Sequence, residues 1–226
     1  MFFGGGMIVL PRGKPVKEDV ATAGMNWREV LQKLHDGRFT GYLNFVCDAN
    51  RGLLLFYHGQ LAAIRYGRGA EFVGGENAMQ HILSASRTSG AYLDIYRLEA
   101  DLALAICNLV EGQPFCREQH LALLDLPHLL ALLKQEGFSG GLHVYDDRKA
   151  TVILMENGSY LGFFHDGQAG IVTSADPSAS VARNAGARLD VIGSAKIPAS
   201  NVPDYLEQAD LFALWEKETV TAVEGL

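Results

Sequence analysis

The 226-residue sequence lacks the features that mark several large classes of protein. Lysine and arginine form no cluster, and the formal net charge is −7. Nucleic-acid-binding proteins carry a basic patch that neutralises phosphates, and proteins that bind anionic membranes use a similar patch. We therefore expect neither a nucleic acid nor a membrane among the partners.

Cysteine is scarce, and long apolar runs are missing. The odd number of cysteines and the absence of a CxxC spacing favour a reducing compartment over a disulfide scaffold. The apolar residues at the N-terminus are interrupted by glycines and precede Arg12 and Lys14, an order that is not typical of a signal peptide. The run is also too short to span a bilayer. We expect a cytoplasmic protein whose residues 7–10 form an opening strand.

Motifs of common catalytic and metal sites are missing as well. The seven histidines are scattered without an HxH or HExxH spacing, and no Walker motif occurs. Residues 137–141, GFSGG, match GxSxG, but they follow a predicted helix and precede a predicted strand, whereas a nucleophile elbow joins a strand to a helix. We therefore expect no catalytic residue, no bound metal and no cofactor, and we interpret the chain as a protein that is not an enzyme.

The sequence does contain an internal similarity. Residues 53–64 read LLLFYHGQLAAI, and residues 152–163, 99 positions later, read VILMENGSYLGF. Residues 26–67 align with 125–166 without a gap, and residues 90–95 align with 186–191 at a shift of 96. This preserved order predicts two tandem copies of one α/β unit.

Each copy predicts the same elements. Asn26 and Asp125 are typical N-cap residues before an amphipathic helix. Alternating and then continuous apolar residues predict two strands, and a third follows the dipeptide at 58–59 or 157–158. Asn-Gly favours a two-residue hairpin turn, and histidine tolerates positive φ better than most residues, so we expect His58 to form a turn rather than a working site.

The copies diverge after the third strand. Residues 70–86 predict a helix, whereas the corresponding residues 174–186 predict a loop with a brief helix. Residues 99–110 are apolar around most of a helix, which predicts burial on more than one side, either as a spine for both copies or as a dimer contact. Residues 202–217 predict an amphipathic terminal helix.

The predicted fold class is α+β. It consists of two tandem repeats, each a helix plus an antiparallel β-meander with a closing strand, joined by a buried helix and forming one pseudo-symmetric body. The predicted segments are an N-terminal strand and lead-in (1–25), the first repeat (26–98), a connecting helix and linker (99–124), the second repeat (125–193), and a C-terminal helix and tail (194–226).

A family resemblance rests on two stretches of this pattern, VLQKLHDGRFTGYLNF with LLLFYHGQLAAIRYG, and LLALLKQEGFSGGLHVY with VILMENGSYLGFF. A helix, an [FS]-[TS]-G-x-L motif and two apolar strands joined at a glycine turn resemble the PATAN domain of bacterial signalling proteins. The resemblance covers both repeats. It implies an α+β fold, protein–protein contacts in signalling and no catalytic residues, although here no receiver domain is attached.

Three groups of residues are candidates for function. Asp94 and Asp190 recur in the closing strands, where we expect each to face water; the alternative is a repeated structural hydrogen bond to a turn. A glycine-rich loop, 67–77, opens a helix and predicts a candidate anion site. Its residues are Arg65, Arg68, Gly74 and Gly75. Aromatic residues of the terminal helix predict a candidate interface. They are Tyr205, Phe212 and Trp215.

Two functions follow from these candidates. The first is a non-catalytic interaction or scaffold module of bacterial signal transduction, whose partner is another signalling protein or a second copy in a homodimer. The second is a small-ligand sensor that binds a nucleotide-type ligand at the loop 67–77.

Overall fold

The computed structural model describes residues 10–68, 71–146, 149–174, 181–184 and 186–208. These residues form an α+β structure with two separate antiparallel sheets. The chain divides into two compact units. Unit 1 comprises Pro15–Ala103 and the described part of Pro198–Leu226, and unit 2 comprises Leu104–Ile197 and the described part of Ile8–Lys14.

Unit 1 contains a six-stranded sheet with the order β1-β6-β2-β3-β4-β5. Its strands are β1 (Lys14–Ala21), β2 (Gly41–Cys47), β3 (Asn50–Tyr57), β4 (Gln60–Arg68), β5 (Glu71–Gly74) and β6 (Tyr92–Arg97). The helices α1 (Trp27–Asp36) and α2 (Gly75–Ala85) contribute to its core, and α3 (Ala100–Val110) contains the boundary between the units.

Unit 2 contains a five-stranded sheet with the order β10-β9-β8-β11-β7. Its strands are β7 (Pro114–His120), β8 (Gly140–Tyr145), β9 (Ala150–Glu156), β10 (Ser159–His165) and β11 (Arg188–Gly193). The helix α4 (Leu126–Gln135) contributes to its core, and the short helix α5 (Tyr205–Gln208) returns to unit 1. Single turns of 3-10 helix occur at Leu121–Leu123, Val181–Arg183 and Ala199–Asn201.

Local signals explain why the helices begin where they do. The side chain of Asn26 accepts a hydrogen bond from the backbone N–H of Glu29 (3.2 Å), and Asp125 accepts one from His128 (3.1 Å). Each satisfies a backbone donor that the first helical turn leaves without a partner, so both predicted N-caps are confirmed.

Each unit has its own hydrophobic core. In unit 1, Trp27 and Leu31 of α1 pack with Phe45 of β2 and Ile82 of α2, all of them buried. In unit 2, the core is formed around Leu133, Phe138, Leu142, Met155 and Leu189. Burying each large apolar side chain stabilises the fold by about 1.5–3 kcal/mol, so these cores dominate the stability of both units.

Helix α3 is buried over a wider face than α1. Leu102, Ala103, Ile106, Cys107 and Leu109 are all buried, whereas α1 buries only Trp27 and Leu31. The buried residues form one broad face of α3, whereas burial on more than one side was expected.

Four expectations from the sequence differ in part from the structure or lie largely outside the described residues. Of the opening strand expected at 7–10, only residue 10 is described, and it precedes β1, which begins at Lys14. The stretch 99–124, expected to be a helix and a linker, contains strand β7. Residues 71–74, expected to be helical, form β5. Of the expected helix 202–217, residues 205–208 are helical, and the rest lies largely outside the described residues.

Candidate functional site

The dipeptides at 58–59 and 157–158 form the hairpin turns β3–β4 and β9–β10. His58 and Gly59 have φ of 49° and 92°, and Asn157 and Gly158 have φ of 48° and 75°. Positive φ at both central residues is the requirement of a type I′ turn. The prediction that His58 forms a turn is therefore confirmed.

Each turn is tied to the short connection that follows α1 or α4. The backbone N–H of His58 donates to Thr40 Oγ1 (2.9 Å), and that of Asn157 donates to Ser139 Oγ (2.9 Å). The next N–H in each turn donates to the carbonyl oxygen of Phe39 or Phe138 (2.8 Å in both). The Phe-[Thr/Ser]-Gly motif is thus a structural clamp on the hairpin.

The glycine of this motif allows a close approach of two strands. Gly41 has φ of 151°, and a Cβ added there would lie 2.1 Å from the carbonyl oxygen of Tyr96. Gly140 has φ of 156°, and its Cβ would lie 2.1 Å from the carbonyl oxygen of Ile192. Only glycine fits either position without displacing the neighbouring backbone.

The expectation that Asp94 and Asp190 face water is wrong, because both are buried. Asp94 Oδ1 accepts a hydrogen bond from the backbone N–H of Asp19 in β1 (3.0 Å), and Asp190 Oδ1 accepts one from Glu118 in β7 (2.7 Å). Asp19 and Glu118 have positive φ, 55° and 52°. Each aspartate therefore makes a repeated structural hydrogen bond, as the alternative interpretation held, but its partner is an irregular point of the neighbouring strand and not a turn.

Further partners surround Asp190. His143 Nδ1 lies 3.4 Å from Asp190 Oδ2, Tyr145 Oη donates to Asp190 Oδ1 (3.3 Å), and the imidazole stacks on the tyrosine ring at 4.5 Å. In unit 1 the corresponding partner of Asp94 is the amide of Asn44 (3.2 Å).

This cluster shifts the acidity of its members. Burial opposes ionisation of Asp190, but hydrogen bonds from His143 and from the Glu118 backbone outweigh it, so the pKa of Asp190 lies below its usual value. Burial, reinforced by the charge of Asp190, raises the pKa of Tyr145 to about 12. A buried carboxylate committed to these donors is suited to holding β7 and not to chemistry on a substrate.

The glycine-rich loop does not have the form expected of a phosphate-binding loop. Arg68 lies in β4 and pairs with Glu71 of β5 across the strand hairpin. Arg65 Nη1 donates to the carbonyl oxygen of Ile64 (3.0 Å) and would lie 2.5 Å from a Cβ added at Gly74. Arg65 is thus beside the start of α2, whereas Arg68 lies further along the hairpin.

The predicted aromatic interface is described only in part. Tyr205 packs against the core of unit 1, and its ring would lie 3.3 Å from a Cβ added at Gly75. Phe212 and Trp215 lie outside the described residues. Tyr205 therefore contacts its own unit, next to two residues of the candidate anion site.

The sequence reasoning missed a group that has the composition of a metal site. Among the described residues, His35, Asp204 and Glu207 bring three potential ligand atoms within 4.8 Å of one another. The residues are too far apart in the sequence to form a motif, so no local signal would have identified them.

The sequence reasoning also missed an exposed apolar surface on unit 2, which we call the β10 surface: Tyr160 and Leu161. Their exposed fractions are 52% and 42%. The positions of unit 1 that correspond to 160 and 161 are Leu61 and Ala62, and both are fully buried. The signal for this surface is that the apolar residue types at 61 and 62, which are buried, recur at 160 and 161, which are exposed.

The cover in unit 1 comes from the segment before and within α5. The backbone N–H of Leu61 donates to Asp204 Oδ1 (3.1 Å), and Tyr205 and Leu206 pack against the core. Outer positions of the helices differ too, because Lys33 pairs with Glu29 on α1 (2.6 Å) where α4 has Leu132 and His128.

Comparison with known proteins gives one family match. Residues 8–110 are similar to the family described as "Uncharacterized protein conserved in archaea (DUF2226)", and this stretch, less than half of the chain, contains β1–β6 and α1–α3. The resemblance to the bacterial PATAN signalling domain is therefore wrong, and so is the bacterial setting that it implied. No curated protein and no solved structure matches the chain.

No helix in the described part of the chain is both long enough and apolar enough to cross a membrane.

Proposed function

We propose that this chain is a non-catalytic protein–protein interaction module that binds a second copy of itself through the β10 surface of unit 2. The observation that carries the proposal is the contrast at the hairpin end of two corresponding strands. Leu61 and Ala62 of β4 are fully buried, whereas Tyr160 and Leu161 of β10 are about half exposed.

The contrast is informative because, in this proposal, the units are tandem copies of one fold. Three observations support the duplication. The strand order β1-β6-β2-β3-β4 in unit 1 corresponds to β7-β11-β8-β9-β10 in unit 2. The Phe-[Thr/Ser]-Gly clamps make the same hydrogen bonds to the hairpin turns. The buried aspartates of the closing strands accept from corresponding backbone donors.

The cover over β4 indicates what the β10 surface can bind. In unit 1 this part of the fold is occupied by a polypeptide segment, residues 202–206, that contributes one hydrogen bond and two apolar side chains. A surface of the same design in unit 2 is suited to a polypeptide partner, because the exposed Tyr160 and Leu161 supply apolar area to bury.

The uncharged side chains of the β10 surface suit a second copy as that partner. The formal net charge of −7 makes two copies repel each other, so they associate most easily through a surface without charged side chains. In a two-fold dimer the same patch lies on both sides of the axis, and any charge in it would face its own kind. The β10 surface consists of leucine and tyrosine and meets this condition.

A reducing cytoplasm is part of the proposal. All three cysteines are free thiols, and Cys47 and Cys107 are buried among apolar side chains. Burial raises the pKa of the Cys116 thiol, which disfavours the reactive thiolate.

A nucleotide-type ligand at the start of α2 is the second candidate function. The guanidinium of Arg65 lies against Gly74, and the N-terminus of α2 has no side-chain cap. Thermal unfolding with and without nucleotides tests this candidate. A stabilisation that Arg65→Ala removes would support it, whereas no shift with any nucleotide would reject it.

Sedimentation velocity over a wide range of protein concentration tests the self-association. We expect the parent chain to change from monomer to dimer. Leu161→Lys places an unpaired charge in the interface, which costs about 2 kcal/mol or more and weakens the dimer by roughly thirtyfold. Leu123→Lys is the matched control, because Leu123 is an exposed leucine of unit 2 outside the β10 surface.

The two variants distinguish self-association through the β10 surface from the alternatives. A dimer that Leu161→Lys weakens and Leu123→Lys leaves unchanged supports the proposal. A parent chain that stays monomeric throughout, or a dimer that both variants form equally well, contradicts it. Circular dichroism of each variant establishes that its fold is retained.

A further inference from the structure

Three side chains of unit 1 converge beside the end of α1. His35 lies in the last turn of α1, Asp204 immediately precedes α5, and Glu207 lies within α5. One imidazole nitrogen and one oxygen from each carboxylate lie within 4.8 Å of one another. We infer that these residues bind a divalent transition-metal ion of the Zn²⁺ type, a site that is separate from the proposed self-association.

Asp204 is the rigid member of this set. Its exposed fraction is 6%, and its Oδ1 accepts hydrogen bonds from the backbone N–H groups of Leu61 (3.1 Å) and Leu206 (3.0 Å). Both bonds use the same oxygen, which leaves Oδ2 for a further ligand. A nearly buried carboxylate is costly unless its charge is compensated, and a cation at Oδ2 would supply that compensation.

His35 is oriented as metal-binding histidines usually are. Its Nδ1 lies 3.2 Å from Asp36 Oδ1, and the same carboxylate oxygen accepts from Gln32 Nε2 (2.8 Å). Histidine ligands commonly donate one ring N–H to a carboxylate, which fixes the ring and leaves the other nitrogen for the metal. With the proton on Nδ1, Nε2 is the ligand atom.

The donor set selects the class of ion. One imidazole and two carboxylates suit Zn²⁺ and similar transition metals, whereas Mg²⁺ and Ca²⁺ prefer oxygen ligands alone. Tetrahedral Zn²⁺ places its ligand atoms about 3.3 Å apart, so the three groups must close slightly on the ion. Glu207 is exposed and can make that movement.

Binding at this position would hold the segment 202–207 against α1. That segment covers Leu61, so the ion would stabilise the cover that distinguishes unit 1 from unit 2. Among its described residues unit 2 has no equivalent set, because Lys134 occupies the position that corresponds to His35. In both units this residue's carbonyl oxygen lies beside the hairpin glycine, Gly59 or Gly158.

Isothermal titration of the metal-free full chain with ZnCl₂ tests the site. We expect one saturable site per chain, and we expect Glu207→Gln and His35→Gln each to weaken it by about tenfold or more, since even outer-shell changes cost that much. Glu207→Gln is the decisive variant, because its exposed side chain contributes little to folding. His128→Gln, a change of an exposed histidine on α4, is the control and should titrate like the parent.

Thermal unfolding gives a second readout. Zn²⁺ should raise the Tm of the parent and of His128→Gln, and EDTA should reverse the rise. At the same Zn²⁺ concentration the rise should be smaller in His35→Gln, because a ligand stabilises the folded state according to its affinity for that state. Unaltered Zn²⁺ binding in Glu207→Gln and His35→Gln would overturn the inference. A parent Tm that does not respond to Zn²⁺ would do the same.

Discussion

Strand β4 of unit 1 and strand β10 of unit 2 leave their hairpins in the same way but differ in what lies over them. Both turns have positive φ at two residues, and both are clamped by a hydroxyl from the preceding connection. Over β4 a returning segment accepts a hydrogen bond from the backbone of Leu61, and Leu61 and Ala62 are fully buried, whereas Tyr160 and Leu161 of β10 are exposed.

This difference separates the requirements of the fold from those of function. The turn, the clamp and the buried aspartate occur in both units, so they belong to folding. Within the described ranges of the chain, the cover by residues 202–206 lies over β4, whereas Tyr160 and Leu161 of β10 are exposed. We therefore look for binding sites among the features that distinguish the units. Mutations of features common to both units should change the free energy of unfolding by similar amounts.

The largest effects should come from the clamp glycines. Gly41→Ala and Gly140→Ala each place a Cβ 2.1 Å from a backbone oxygen at a φ that alanine rarely adopts, so each should destabilise the protein by about 3 kcal/mol or more. Urea unfolding measures both. Gly24→Ala is the control, since its φ is positive but its Cβ would meet nothing within 4 Å. If only one of the two glycine variants lost much stability, the two glycines would not have corresponding roles in the two units.

Next come the buried aspartates. Asp190→Ala leaves the Glu118 N–H, His143 and Tyr145 without their acceptor and should cost about 3 kcal/mol, whereas Asp94→Ala abandons fewer donors and should cost about 2 kcal/mol. Equilibrium denaturation ranks the two variants. The reverse order would show that the additional partners of Asp190 contribute nothing.

Acid should affect the protein through Asp190. The folded state lowers the pKa of this carboxyl, so the folded chain binds a proton less readily than the unfolded chain does. Its contribution is present above the ordinary aspartate pKa of about 4 and is lost as the pH falls below it. Between pH 5 and pH 3, roughly the range of that loss, Asp190→Asn should lose less stability than the parent.

The control for this experiment is Asp101→Asn, which removes one carboxylate from an exposed position of α3. Its acid dependence should follow that of the parent. If the stability of the parent, Asp190→Asn and Asp101→Asn falls equally with pH, groups other than Asp190 cause the acid sensitivity.

The smallest effects should come from exchanging the turn residues. His58→Asn and Asn157→His should each change the free energy of unfolding by less than about 0.5 kcal/mol. Both residue types tolerate positive φ, and the contacts that the two positions share are those of the turn. His58→Ala should cost about 1 kcal/mol, since alanine disfavours the left-handed region. A large loss on His58→Asn, seen by thermal unfolding, would indicate a further role for the imidazole.

Local signals in the sequence predict a good part of this fold. The N-caps Asn26 and Asp125, the turn dipeptides and the apolar strands between them all depend on neighbouring residues, and the structure has them at the expected positions. The internal similarity also points to the same glycines that the close strand approach requires.

The edge strands β1 and β7 could not be predicted in this way. The strand β1 reads KPVKEDVA, is mostly exposed and lacks alternation, and β7 is similar. Both are positioned by pairing with strands far along the chain, and Asp190 reaches the backbone of Glu118 across 72 residues. The burial of Asp94 and Asp190 could not be predicted for the same reason, because their partners in β1 and β7 are distant backbone groups without a sequence signature.

The candidate sites were harder still to predict. His35, Asp204 and Glu207 come together only because the chain returns to unit 1 after unit 2 is complete. The β10 surface is likewise defined by exposure and not by residue type, since the corresponding residues of unit 1 are also apolar but buried.

Amide hydrogen exchange at low and high protein concentration tests the central claim most directly, because it compares the two hairpin ends in one experiment. The amides of residues 60–62 should be protected equally at both concentrations, since their cover belongs to the same chain. Protection of residues 159–161 should rise with concentration, because a second copy covers them. Concentration-independent exchange at 159–161 would contradict the claim that this surface is an interface.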